Sequence, residues 1–251
     1  MGNDCTENNL AKVFSDNSYK TGIVGKWHLH RWNEADYTYS AAKAAINDCH
    51  FDSAEAIYIE NLDTFFNDGT FSHNMEYVTQ KAIDFIENAG SDPFFLYLNP
   101  TVPHGSGDVS DAITSFACTQ TPEGTLSSES ELSDAINKMS NGVHLTCDGY
   151  RDSIITRAGT ESNNDNVLGE IWIDDAIGAI FKTLEEQGVL DNTFFLFQLD
   201  HGQEGKDTLY EPGSRIPQFI HYPDAFGTDG MTFDGKLPTL AHRLHFIKFI
   251  C

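Results

Sequence analysis

Apolar residues fall at Met75, Val78, Ala82, Phe85, Ile86 and Ala89, and Gly90 follows them. That spacing returns to one face of a 3.6-residue turn, so it predicts a helix over 75–89 with the glycine as its stop. The next stretch, "PFFLYLNP" over 93–100, shows no polar alternation and predicts a strand buried on both faces, as a parallel sheet demands. The couplet returns further on. Leu168, Ile171, Trp172, Ala176, Ala179, Ile180 and Leu184 mark one face of a long helix, Gly188 follows, and "NTFFLFQLDHG" from Asn192 predicts a second buried strand. An earlier apolar strand opens in "KTGIVGKWHLH" over 20–30, and "GSRIPQFIHYP" predicts another strand ending in a turn. Helix followed by buried strand, twice, predicts an α/β fold with a largely parallel central sheet and helices on both faces.

Elsewhere the pattern weakens. Between 105 and 165 the composition of "TQTPEGTLSSESELSD" predicts a surface excursion with one short helix. The last segment, "LPTLAHRLHFIKFIC", is expected to begin a helix. The chain shows no repeat of fixed period. Its 251 residues, 40% of them apolar, suffice for a single core, so one globular unit over 1–251 is expected.

Charge narrows the partners. Fifteen basic residues stand against 38 acidic ones, and a formal net charge of -23 disfavours nucleic acid and anionic membrane surfaces. An anionic ligand must therefore meet a local positive site. No stretch approaches the ~20 apolar residues that span a bilayer, and "MGNDCTENNLAKVF" carries neither the basic nor the apolar region of a signal peptide. Cys5, Cys49, Cys118, Cys147 and Cys251 are scattered without a C-x-x-C pair, which supports neither a zinc knuckle nor a dense disulfide framework.

In open α/β sheets the ligand crevice lies beyond the carboxyl ends of the strands. The first strand delivers Lys26, His28 and His30 there, the second delivers His104, and the third delivers Asp200 and His201 with Lys206 close behind. Lysines, imidazoles and a carboxylate suit a divalent cation beside a tetrahedral oxyanion: oxygen holds the metal, and the cations neutralise the anion and move protons. Each residue alone reads more readily as a solvated strand end or a satisfied histidine. Gly22, Gly25 and Lys26 lack the spacing of a nucleotide-binding P-loop, since Trp27 follows the lysine. His28 and His30 share a face if the strand continues, yet no third ligand at metalloprotease spacing joins them, and His30 is left without a role.

Taken together and in this order, "TGIVGKWHLH", "FFLYLNPTVPH" and "FFLFQLDHGQEGKDTLYEPGSRIP" resemble blocks of the sulfatase family, within the alkaline-phosphatase-like superfamily. The resemblance runs from about Leu10 to Pro223, with the Ser-rich middle poorly matched, and marks 1–251 as one partial catalytic domain. It implies an α/β hydrolase of sulfate esters with a bound calcium ion. By motif, Lys26 and His28 would contact the sulfate and the nucleophile, and His104 would lie beside the ester oxygen. Asp200 and His201 would face the metal, and Lys206 would bind sulfate and assist the leaving group. Glu211 and Arg215 also match family positions; beside Pro212, Gly213 and Pro217 they read as an ion pair in a turn.

The family's nucleophile is a Cys or Ser in C/S-x-P-S-R that becomes formylglycine, and no such pentapeptide occurs in these 251 residues. Cys5 lacks the proline and arginine, the family's paired N-terminal aspartates have no counterpart before Leu10, and Asp4 stands alone. The expectation is a sulfatase-type chain truncated at its N-terminus and without the smaller C-terminal subdomain, inactive or incomplete by the formylglycine route. An exposed sheet edge able to pair with another chain would follow. The alternatives are a non-catalytic relative that binds sulfated glycans or pairs with a partner, and a phosphoester hydrolase of the same superfamily. A sulfated small molecule or glycan is the expected ligand. The family's setting is secretory, lysosomal or extracellular.

Overall fold

The computed structural model describes residues 9–30, 32, 37–59, 71–103, 108–201, 213, 215–223 and 247–250. In chain order the elements are α1 (Leu10–Asp16), β1 (Lys20–Lys26), α2 (Tyr39–Asn47), β2 (Ser53–Tyr58), α3 (Met75–Ala89) and β3 (Phe94–Asn99). Then come α4 (Val109–Ser115), the short hairpin of β4 (Gln120–Thr121) and β5 (Gly124–Thr125), α5 (Ser133–Met139), α6 (Cys147–Ala158) and α7 (Asp165–Glu186). The chain closes with β6 (Phe195–Gln198), β7 (Gln218–His221) and β8 (Ile247–Ile250).

The main sheet has the order β2-β1-β3-β8-β6-β7, with every pairing parallel except that of β6 with β7. Consecutive residues of β1 show why its sequence has no polar alternation. Ile23 packs with Trp27, Ile46, Phe51, Ile57 and Phe95 on one face, while Val24 packs with Tyr58, Met75, Ile83 and Leu96 on the other. Side chains alternate across a strand, so both faces must be apolar when both are covered. The face carrying α1 and α2 is the thinner layer; α3 and α5–α7 form the thicker one. α3 lies so close to β1 that a Cβ on Gly22 would meet the Phe85 ring at 2.4 Å.

Several expectations hold at residue level. The helix over 75–89 forms with those limits, capped by Asn74, whose side chain accepts from the Tyr77 amide at 2.9 Å. The strands in 93–100 and 192–202 form as β3 and β6. Others are overturned. β1 stops at Lys26, so His28 and His30 do not continue a strand. The segment 247–250 is a strand, not a helix, and it fills the gap between β3 and β6, where both neighbours offer open backbone groups. The segment 105–165 holds three α-helices and a hairpin instead of a surface excursion with one helix. Leu132, Ala135, Ile136, Met139, Tyr150 and Ile154 from it are core residues. Cys118 and Cys147 are joined by a disulfide, and Cys49 is disulfide-bonded as well.

β2 and β7 are the sheet's outer strands. The β2 edge is covered: the Tyr39 hydroxyl accepts from the Ile57 amide at 3.3 Å, and Lys43 pairs with Glu55 at 2.8 Å. Burial holds the Tyr39 phenol above its ordinary range, so it stays neutral. On β7, Phe219 and Ile220 are exposed.

One ion pair ties the thick layer together. Arg151 on α6 donates from Nε and Nη2 to the two carboxylate oxygens of Glu76 on α3, both at 3.0 Å, and both side chains are buried. Its Nη1 donates to the carbonyls of Ala112 and Phe116 at the end of α4, and its guanidinium lies 5.3 Å over the ring of Trp172 on α7. Burial alone would push Arg151 down, but the Glu76 charge and hydrogen bonds outweigh it, so the guanidinium stays ionised. Replacing Glu76 by Ala leaves a buried cation without its counter-ion and is expected to cost about 3–5 kcal/mol in urea unfolding. The double variant Glu76→Leu, Arg151→Met should recover part of that loss. A single-variant loss below about 1 kcal/mol would contradict the role given to this pair.

Candidate functional site

β1, β3 and β6 run in the same direction, so their carboxyl ends open on one edge of the sheet. Lys26 is the last residue of β1 and is half-buried. Its place is set by the residue before it. Gly25 has φ +101°, and a Cβ there would stand 2.0 Å from the carbonyl oxygen of Asn99 on β3, so the backbone approach requires glycine. Beyond Lys26 the Trp27 amide donates to the Tyr58 carbonyl at 2.8 Å, and the Trp27 indole is buried edge-on to Phe51. This anchorage leaves His28 exposed just past the strand end. His30, without a role in the sequence, lies against Trp32 with ring centres 4.3 Å apart and planes tilted by 37°, and Trp32 in turn meets Tyr37 edge-on.

At the end of β3, Asn99, Thr101 and Val102 are all buried. The Asn99 Nδ2 donates to the Lys26 carbonyl at 3.2 Å, and His73 Nδ1 hydrogen-bonds Thr101 Oγ1 at 2.6 Å. The Val102–Pro103 peptide is cis. The chain leaving β3 is thus fixed from both sides before it reaches His104, which lies outside the described residues, as do Lys206, Glu211, Asp4 and Cys5.

At the end of β6 the Leu199 amide donates to the Pro217 carbonyl at 3.4 Å, and Asp200 follows in the open with its carboxylate 3.7 Å from Nε2 of His201. The Asp200 charge is felt on β3. Tyr97 is held above its ordinary range, chiefly by burial; a hydrogen bond from Asn99 opposes the shift and Asp200 adds to it. Arg215 is exposed in the approach to β7.

The fold therefore brings Lys26, His28, Asp200 and His201 to one sheet edge and gives His30 to aromatic packing. A calcium ion takes six to eight oxygen ligands. Asp200 and His201 offer one carboxylate and one imidazole, and among the described residues no group of three or more His, Cys, Asp and Glu side chains is placed to hold a metal. The described donors alone do not make a cage. Asn99 and His73 carry only slight signals in the sequence: one polar residue at the end of an apolar strand, and one histidine before a helix.

The Sulfatase family model matches residues 2–247. The arylsulfatase of Clostridium perfringens is 29% identical over 191 residues, an alignment covering 69% of this chain and 38% of that protein. Among solved structures, Ps i-CgsB in complex with k-i-k-neocarrahexaose superposes with a TM-score of 0.54 at 17% identity, over 89% of this chain and 49% of that one. The structure of BT4656 in complex with its substrate D-glucosamine-2-N,6-O-disulfate gives a TM-score of 0.50 at 18% identity, over 88% and 56%. These structures carry the alkaline-phosphatase-like fold, and this chain shares it. The chain spans well under half the length of the first curated relatives it matches.

The close approach at Gly25 is open to a direct check. Gly25→Ala combines a left-handed backbone with a contact inside van der Waals range, and is expected to cost about 2–4 kcal/mol by urea unfolding. A variant as stable as the parent would show that β1 and β3 do not meet this closely.

Proposed function

The chain belongs to the sulfatase family, and from that premise we propose that its strand-end crevice binds the sulfate group of an ester, as part of a sulfuric ester hydrolase. The observation that carries the reading is the fixed position of Lys26. A lysine held at the carboxyl edge of a parallel sheet, in a protein of net charge -23, is a local cationic site of the kind an oxyanion needs.

The roles follow from chemistry. Lys26 and His28 take the non-bridging sulfate oxygens, where negative charge is spread in the substrate and persists in the transition state. His104 stands at the bridging oxygen and gives it a proton as the S–O bond breaks, so the alcohol leaves neutral. Lys206 shares the charge on the departing oxygen. The overall change consumes one water and yields the alcohol and sulfate. Asp200 and His201 are the proposed ligands on this chain for a calcium ion, which would supply positive charge beside the sulfate. The attacking group is the family's formylglycine, and the motif that generates it is not among these 251 residues, so binding rather than turnover is the property to measure first. A sulfated sugar is the proposed substrate class, supported by the saccharides in the two structural relatives. Pairing through a sheet edge remains a further proposal, for which the exposed Phe219 and Ile220 on β7 are the candidate surface.

Equilibrium dialysis with radiolabelled inorganic sulfate tests the reading. The chain should bind sulfate saturably, and Lys26→Ala should weaken it about tenfold or more, the effect of removing one charge-assisted hydrogen bond. Equal affinity in the two proteins would sink the assignment of Lys26. Displacement by phosphate at much lower concentration than by sulfate would move the reading to the phosphoester branch.

A further inference from the structure

Asn99 sits where three features of the sheet meet. The β1–β3 ladder ends with Gly25 opposite Asn99, and the β1–β2 register slips between Val24 and Lys26. The Lys26 carbonyl is therefore one residue past the last β1–β3 pair, and the donor that meets it is the Asn99 side-chain amide at 3.2 Å. The same residue's backbone carbonyl is the group pressed against Gly25. Asn99 thus grips the chain on both sides of the peptide that starts Lys26.

Packing alone does not account for an amide in this place. Asn99 is 8% exposed, and its Oδ1 is buried with no hydrogen-bond partner among the described residues. Leaving a buried acceptor unpaired is unfavourable, so an apolar side chain of similar volume would serve a purely structural strand end better. What an apolar residue lacks is the Nδ2 donor.

We propose that Asn99 is a positioning residue: its side-chain amide, bonded to the Lys26 carbonyl beyond the end of the ladder, fixes the backbone that presents Lys26 and His28 to the bound sulfate. The inference rests on the reading of Lys26 as a sulfate ligand, and it adds a residue that touches neither sulfate nor metal. Its action is through the backbone, so loss of the donor should loosen residues 26–30 without unfolding the sheet.

The test uses Asn99→Ala and Asn99→Asp beside the parent chain. Asn99→Ala should weaken inorganic sulfate about tenfold, the upper range for one neutral hydrogen bond, while its melting temperature stays within a few degrees of the parent. Asn99→Asp keeps the shape and exchanges the donor for a group that donates only when protonated. In the absence of sulfate, its backbone amides at 26–30 should lose hydrogen-exchange protection at pH 7. Protection relative to the parent should return near pH 4, as the carboxyl takes up its proton. A merely structural role would not follow that pH profile. Asn99→Asp protection that equals the parent at both pH values, or stays lost at both, overturns the proposal. Parental sulfate affinity in Asn99→Ala does so too. If the parent chain binds no sulfate, the functional reading falls, and the exchange profile alone decides whether Asn99 positions the strand end.

Discussion

The buried ion pair of Arg151 with Glu76 is the interaction on which the thick helical layer depends. It joins α6 to α3 through two parallel hydrogen bonds, holds the end of α4 through two carbonyls, and stacks on Trp172 of α7. Each of those helices supplies core residues to the same cluster, which also contains Val24, Leu96 and Phe195 of the central strands. A charge pair so fully out of water is tolerated only when its hydrogen bonds are satisfied. The geometry that satisfies it also fixes how the helices cross the sheet. The disulfide between Cys118 and Cys147 adds a covalent tie between the exit from α4 and the start of α6.

From that layer the arrangement of the sheet edge follows. α3 packs its Phe85 against Gly22, which places β1, and the N-terminal turn of α3 is fastened by Asn74 to the carbonyls of Cys118 and Gln120. His73, next to that cap, holds Thr101 beyond β3. The segments leaving β1 and β3 are thus set by side chains that belong to the helical layer or to each other. Rigidity at this edge is what a crevice for a small oxyanion requires, because electrostatic stabilisation is strongest when the cations need no rearrangement to meet the charge.

Much of this was legible in the sequence, and the reasons differ by element. The helix over 75–89 and the strands β3 and β6 could be read because their apolar positions are dense and their periods unmixed. Helices α4, α5 and α6 were hidden by short length and by buried polar residues: Arg151 and Lys138 lie on faces that a hydrophobic pattern counts as exposed. The Cys118–Cys147 bond joins residues 29 apart without a spacing signature. In the segment 247–250 four residues carry too little period to separate strand from helix; its two parallel neighbours decide the matter. At the site, Lys26, His28, Asp200 and His201 are legible from their positions after apolar runs. Asn99 is not, since its importance lies in the Lys26 carbonyl it meets, and no sequence pattern announces that contact.

The central claim is that the carboxyl edge of the sheet, between β1 and β6, receives sulfate. Titrating an isotopically labelled chain with a sulfated monosaccharide, while following backbone amide resonances, tests it most directly. The account predicts that the amides which shift are those of the non-proline residues at 25–30, 99–103 and 199–201. Shifts confined to the cationic groups of the helical layer, around Arg157 and Lys182, or no shifts at saturating ligand, would contradict it.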